Sequence, residues 1–408
     1  MRRIDINQLQ TVLAGLPKNP RVLASGNFST PTALLTALDK ALPEYVLHML
    51  NAQPGIPNRS GVTYESAFIG AGMRGSTRLN YVPSRLSLLP VLIRDYLIPD
   101  VVLLHTSLPR FDTVSLGTEV NILPAAIEAV REHGGIVIAQ ANSNMPYTYG
   151  DSQIYENEID FLVEVDEELA THNPIALPDT ARTIGELIAE HVRDGSTLQM
   201  GIGAVPDAVL ELLKVRTGLR VWTEMFSDGV LNLHKAGALD EEIPITASFV
   251  FGSTELYQWL NLNRRVRMLR TEKTNDPSQI AKQARMTSVN AALQVDLYDQ
   301  ANASRVRGRI YSGFGGSTDF IVGALHSRGG RSFMALPSWH EKSNSSTIVP
   351  LISDAVTSFQ HSYVVTERGI AACFGHSQAE QARNIIDYAA HPDARDQLRD
   401  AAGKMGLL

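Results

Sequence analysis

Twice in this chain a short apolar run leads into a glycine turn, a proline and a stretch with helical apolar spacing, and that order leaves few architectures open. The first instance is Arg21 to Ala24, then Ser25-Gly26-Asn27, then Thr30-Pro31, then Ala33, Leu34, Leu35, Ala37 and Leu38. Thr30 suits an N-cap and Pro31 the first helical position. The second is Thr197 to Met200, then Gly201 to Val205, then Pro206, with a helix predicted from Asp207 to Leu213. Further strands are predicted at Tyr45 to Leu50, Asp100 to His105 and Ile136 to Ala139, with helices at Ala125 to His133 and Ile184 to Arg193. The run Val101 to Leu104 has no polar alternation, the pattern of a strand covered on both faces. Strands alternating with helices point to α/β architecture with a mostly parallel sheet.

A chain of 408 residues exceeds one ordinary core, so two domains are expected. The stretch Asn173 to Thr183 is rich in Pro, Asp and Thr and reads as a linker. It divides the chain into residues 1–178 and 179–408, two halves that echo each other weakly through the repeated turn. The net charge of −7 argues against a protein built to wrap nucleic acid, while leaving room for a local basic pocket. Cys373 is the only cysteine, which rules out an intrachain disulfide and a multi-thiolate zinc site. It reads as a small buried residue. Leu86 to His105 is interrupted by Arg94, Asp95 and Asp100, so it reads as helix, turn and buried strand, and no membrane span is expected. Met1 to Gln8 lacks the apolar stretch of a secretion signal, and the expected address is the cytoplasm.

Three segments could carry chemistry. Gly201-Ile202-Gly203, between a strand and a helix, offers close backbone approach and amide donors for an anion. An ordinary tight turn is an equal reading, because Pro206 stands where a dinucleotide fingerprint needs its third glycine. Leu219 to Glu224 reads as a strand with Glu224 at its carboxyl end, where open α/β sheets bind ligands. A helix-capping or ion-paired Glu224 is the alternative. Tyr311 to Phe320 contains Gly313, Gly315 and Gly316 and reads as a flexible loop rich in backbone donors, able to hold an anion or an oxyanion, or simply to connect two elements. There is no Gly-x-Ser-x-Gly elbow, no His-Glu-x-x-His and no phosphate-binding Gly-x-x-x-x-Gly-Lys-Ser/Thr loop. His340 and His361 read as surface or packing residues.

Together these segments resemble the acetyl-CoA hydrolase/transferase family, from about Val22 to Arg395. The blocks that carry the likeness include Gln199 to Leu210, Thr223 to Gly229, Ala247 to Ser253, Asn275 to Pro277, Ser288 to Asp296, Tyr311 to Gly316 and Tyr363 to Ile370. Gln140 to Asn142 and Met145 to Asp151 add to it from the first half. The resemblance implies two similar open, mostly parallel sheets flanked by helices, with the active site between the domains. It implies Glu224 as nucleophile and contacts to coenzyme A from Gly201, Ile202, Gly203, Ala204, Val205, Leu293 and Gly316. Asn275 would lie near the reacting carbonyl, and Gly316 would contribute to an oxyanion site. The implied substrates are an acyl-CoA and a small carboxylic acid; neither a metal nor a nicotinamide is implied, and a homodimer is the expected assembly.

That chemistry suits a carboxylate. Attack on a thioester gives a mixed anhydride, and the released thiolate then attacks the glutamyl carbonyl to give a glutamyl-CoA thioester. Water in place of the incoming acid would make the same glutamate a hydrolase, and a homologue that binds CoA without turnover is a third reading. The sequence departs from the family at Arg110 to Val114, at Lys282 to Met286, at Gln294 and at Ser346 to Pro350, where a basic side chain is missing. These departures bear on the acyl pocket and the cosubstrate.

Overall fold

Every residue from Val101 to Ser107 is buried, which requires cover on both faces of its sheet. The computed structural model, which describes residues 1–172, 176–356 and 360–408, provides that cover. The chain packs as two units, Met1–Asn173 with Pro244–Thr274, and Pro174–Ile243 with Asn275–Leu408. A single cut near residue 178 is thus not how the packing divides. The segment Pro244–Thr274 belongs with the first unit, and no composition shift marks that return.

In the first unit an eight-stranded sheet is built from β1 (Arg2–Arg3), β2 (Arg21–Ala24), β3 (Tyr45–His48), β4 (Val62–Ser66), β5 (Leu79–Tyr81), β6 (Val101–Ser107), β7 (Ile136–Asn142) and β8 (Phe161–Val165). The order is β1-β8-β7-β6-β2-β3-β4-β5, and every pair is parallel. β6 therefore sits inside the sheet between β7 and β2. Helix α1 (Thr32–Ala41) follows β2 one residue later than predicted: Pro31 holds the N-cap position and no side chain caps the helix. Helix α2 (Leu123–Glu132) packs on β6 and β7. No helix among the described residues is long and apolar enough to cross a membrane.

The second unit carries a six-stranded sheet of β9 (Thr197–Met200), β10 (Arg220–Val221), β11 (Met286–Ala291), β12 (Arg331–Ala335), β13 (Tyr363–Thr366) and β14 (Gly369–Ala372). The order is β10-β9-β11-β12-β13-β14, parallel except for the final β13–β14 hairpin. The predicted linker begins at residues 173–175, outside the described residues. Its far end is helical, because α3 runs Asp179–Ala189. Pro and Asp are residues of helix starts as much as of linkers: Pro178 takes the N-cap position and Asp179 faces the positive end of the helix dipole. Helix α4 (Ala204–Leu212) likewise begins before the predicted Asp207, with Pro206 inside its first turn. Helix α5 is Asp228–Lys235.

Two more helices frame the next region, α6 (Pro277–Ala281) and α7 (Ser317–His326). Ser317 to Phe320, predicted as loop, are already helical. α7 packs on α6, β11 and β12. Its anchor is Phe320, 1% exposed in a cluster with Ile280, Met286 and Ala324, against which Trp222 packs. Replacing Phe320 with Ala removes the largest side chain of that cluster and should cost about 3–5 kcal/mol of stability. A urea titration checks this as a lowered midpoint.

Candidate functional site

β9 and β10 run parallel, with Leu198 beside Val221, so the loops that leave their carboxyl ends start side by side. Pairing of β10 stops at Val221, three residues before the predicted strand end. Trp222 still donates its N–H to Leu198 O at 3.1 Å. The Thr223 hydroxyl then lies 2.8 Å from Met225 O and 3.3 Å from Met200 O. That side chain ties the turn carrying Glu224 to the end of β9.

Glu224 Oε2 accepts a hydrogen bond of 3.0 Å from Asn275 Nδ2, and the Gly316 backbone bonds the same carboxylate. Asn275 is fully buried and precedes α6, whose start is fixed by Asp276 accepting from Ser278 N at 2.8 Å and by Pro277. Gly316 occupies the N-cap of α7, where backbone N–H groups lack intrahelical partners and favour negative charge. A Cβ on Gly316 would overlap both Glu224 Oε2 and Asn275 Nδ2. Any larger residue there would have to displace the Glu224 carboxylate and the Asn275 amide from their present positions.

The charge balance of Glu224 is contested. Burial is the largest influence and destabilises the anion, and the neighbouring charge of Asp319 acts the same way. The bonds from Asn275 and Gly316 oppose both. The outcome is a carboxyl raised from 4.5 to about 7. Asp319, in the first turn of α7 and 1% exposed, belongs to the glycine-rich segment singled out by sequence. Its influence on Glu224, like the tether through Thr223, has no sequence signal beyond membership of those blocks.

Gly201 to Gly203 connect β9 to α4, which Ala204 and Val205 open, with Gly203 at the N-cap and φ of 125°, a conformation that favours glycine. No described atom lies within 4 Å of a Cβ placed on Gly201 or Gly203, so this backbone is open to close approach. Ile202 is 49% exposed and Leu293 is 40% exposed. Leu293 follows β11, the other neighbour of β9. The nominated residues thus fall into two groups in the second unit. Glu224, Asn275 and Gly316 are in direct contact, while Gly201 to Gly203 and Leu293 lie on loops beyond the carboxyl ends of adjacent strands and Ala204 and Val205 open α4. Among the described residues no group of three His, Cys, Asp or Glu side chains could hold a metal ion. His361 is buried and bonds Asp299 through Nδ1 at 2.6 Å, a packing role, and Cys373 is buried with its thiol pushed up by burial.

Comparison with known proteins agrees with these blocks. The profile of the acetyl-CoA hydrolase/transferase C-terminal domain matches residues 252–402. The 4-hydroxybutyrate coenzyme A transferase of Clostridium kluyveri is 34% identical, over 95% of this chain and 95% of that protein. An acetyl-CoA hydrolase of Kluyveromyces lactis is 29% identical over 72% of this chain and 60% of its own length. Among solved structures, RipA from Yersinia pestis has a TM-score of 0.90 at 29% identity, covering 99% of this chain and 100% of RipA.

The raised carboxyl has a consequence for stability. Glu224 titrates near 7 when folded and at an ordinary 4.5 when exposed, so between those values the folded chain holds the extra proton. Its contribution is therefore present below about 4.5 and is lost as pH rises through about 7. Glu224→Gln removes that loss. Thermal unfolding should find the variant gaining on the parent between pH 5 and pH 8; a gap that does not widen with pH would contradict the assignment.

Proposed function

The chain belongs to the acetyl-CoA hydrolase/transferase family, and from that membership we propose that it transfers coenzyme A between an acyl-CoA and a carboxylic acid, with Glu224 as the covalent nucleophile. The observation that carries the reading is the hold on Glu224 Oε2 by Asn275 Nδ2 at 3.0 Å, beside the backbone of Gly316. Asn275 holds Oε2, and on this reading Oε1 is the attacking atom.

In the proposed sequence Oε1 attacks the thioester carbonyl, and the C–S bond breaks to give a glutamyl–acyl anhydride and CoA thiolate. The thiolate then attacks the glutamyl carbonyl carbon. The electron pair moves onto Oε2, where Asn275 and the Gly316 N–H stabilise it. Collapse expels the acyl group as a carboxylate that carries away Oε1, leaving the glutamyl-CoA thioester. A second carboxylic acid reverses these steps. The donors that hold the resting carboxylate are those that the oxyanion needs, so little reorganisation is required between steps. Desolvation raises the energy of the resting anion, and a half-protonated Glu224 near pH 7 is the cost of that readiness.

Coenzyme A is held, on this reading, along Gly201 to Val205 and against Leu293. Ile202 and Leu293 offer exposed apolar surface to the ligand, and the open backbone at Gly201 and Gly203 suits close contact with it. Binding energy from that remote part of the substrate can be used to bring the thioester against Glu224. The acids accepted belong to the class of small carboxylates.

Glu224→Gln should abolish exchange between acyl-CoA and free acid by roughly 10⁴-fold or more while CoA still binds. Asn275→Ala, losing one donor, should lower turnover by about 100–1,000-fold with CoA affinity changed far less. Because the attacking form is the anion, turnover per bound substrate should rise with pH through about 7 in the parent. Exchange measured against free-acid release, with and without added acetate, separates transfer from hydrolysis. Release as fast as exchange would favour the hydrolase activity named for the Kluyveromyces relative.

A further inference from the structure

The second unit has another polar cavity at the opposite ends of the same strands. It has a volume of about 130 Å³ and is lined by His191, Arg193, Ser196, Arg285, Thr287 and Arg331 with two glycines. Ser196 directly precedes β9, Arg285 precedes β11 and Arg331 opens β12. β11 has six residues, so it separates this cavity from the Leu293 loop by about 20 Å. The two regions are distinct.

Its charge is unbalanced. No aspartate or glutamate lines the cavity. Arg285 Nη1 donates to the backbone oxygen of Asp194 at 2.6 Å. Arg331 Nη1 donates to the backbone oxygen of His191 at 3.4 Å, and its guanidinium lies over the Tyr363 ring. Arg193 makes no side-chain hydrogen bond or ion pair with any described residue. The nearest acid in sequence, Asp194, uses its carboxylate to accept Thr217 N at 3.0 Å. Three arginines border the cavity and no carboxylate is in its lining, so an anion that entered it would be favoured by their charge.

The donors are of the kind that bind tetrahedral oxyanions. Guanidinium forks match phosphate oxygens in pairs. Ser196, 2% exposed, adds a hydroxyl for which no described partner exists. His191 Nδ1 lies 3.0 Å from Leu187 O, so Nδ1 is the donor there, and in the neutral ring Nε2 is an acceptor that adds no donor to the cavity. The cavity, of about 130 Å³, has room for a phosphate group.

We propose that this cavity binds a phosphate-type oxyanion, either free or as the terminal group of a phosphomonoester, at a site separate from the one that handles the thioester. The test is thermal unfolding of the full chain in inorganic phosphate, with chloride at equal ionic strength as the control. A saturable rise of the midpoint in phosphate is expected. The rise should vanish in Arg193→Gln/Arg285→Gln, and Arg193→Gln alone, at an exposed position, should weaken phosphate binding about tenfold. If the double variant fails to fold, the single variant decides. Equal midpoints in phosphate and chloride would overturn the proposal, and so would a phosphate effect that survives the substitutions. A parallel titration with glycerol 3-phosphate separates the sources. An equal rise upholds the site for ester-borne phosphate, and a rise with inorganic phosphate alone upholds it for the free ion.

Discussion

Burial and hydrogen bonding pull the Glu224 carboxylate in opposite directions, and the proposed chemistry depends on neither winning outright. Full solvation would leave a weak, fully ionised nucleophile. Burial without donors would hold it neutral at working pH. Asn275 and the Gly316 backbone restore enough stability to the anion that its titration falls near 7. Asp319 works against them from the first turn of α7, whose start also supplies the glycine donor. The helix therefore brings both an aid and an obstacle to ionisation.

The rest of the second unit holds that balance in place. β10 is an edge strand of two residues, and its short pairing frees the chain to turn at Thr223 without leaving a ladder bond unmade. The central strands β9 and β11 are joined below the site by polar contacts to one side-chain oxygen: Gln199 Oε1 accepts from Ser288 Oγ at 2.6 Å and from Asn290 Nδ2 at 3.4 Å. These bonds fix the two strands from which the Gly201 and Leu293 loops depart. Phe320 seats α7 on the same sheet. Changes in this packing would be felt at Gly316, where no room for a Cβ remains.

Much of the α/β character was legible because parallel strands, covered on both faces, are written as apolar runs such as Val101 to Leu104. Strand order was not, since β6 pairs with β2 and β7 through crossovers that leave no local mark. The helices that start at Asp179 and Ala204 begin earlier than their apolar spacing indicates, because their first turns hold Pro and Asp, residues that open helices as well as loops. Glu224, Gly201 and Gly316 stood out through neighbouring glycines and predicted strand ends. Asn275 and Leu293 came only from the family resemblance. The Asn275–Glu224 bond joins residues 51 apart in sequence, a distance no spacing rule covers. The arginine cavity was equally hidden: Arg193, Arg285 and Arg331 are isolated in the sequence, and only the strand order of the sheet brings them together.

The most direct measurement of the central claim is the mass of the proteolytic peptide that contains Glu224 after the protein has met acyl-CoA and then borohydride. A glutamyl-CoA thioester is reduced by that treatment, so the expected result is conversion of the Glu224 side chain to the corresponding alcohol, only when acyl-CoA was present. A protein that turns over acyl-CoA yet returns this peptide unchanged, or modified at another carboxylate, would contradict the assignment of Glu224 as nucleophile.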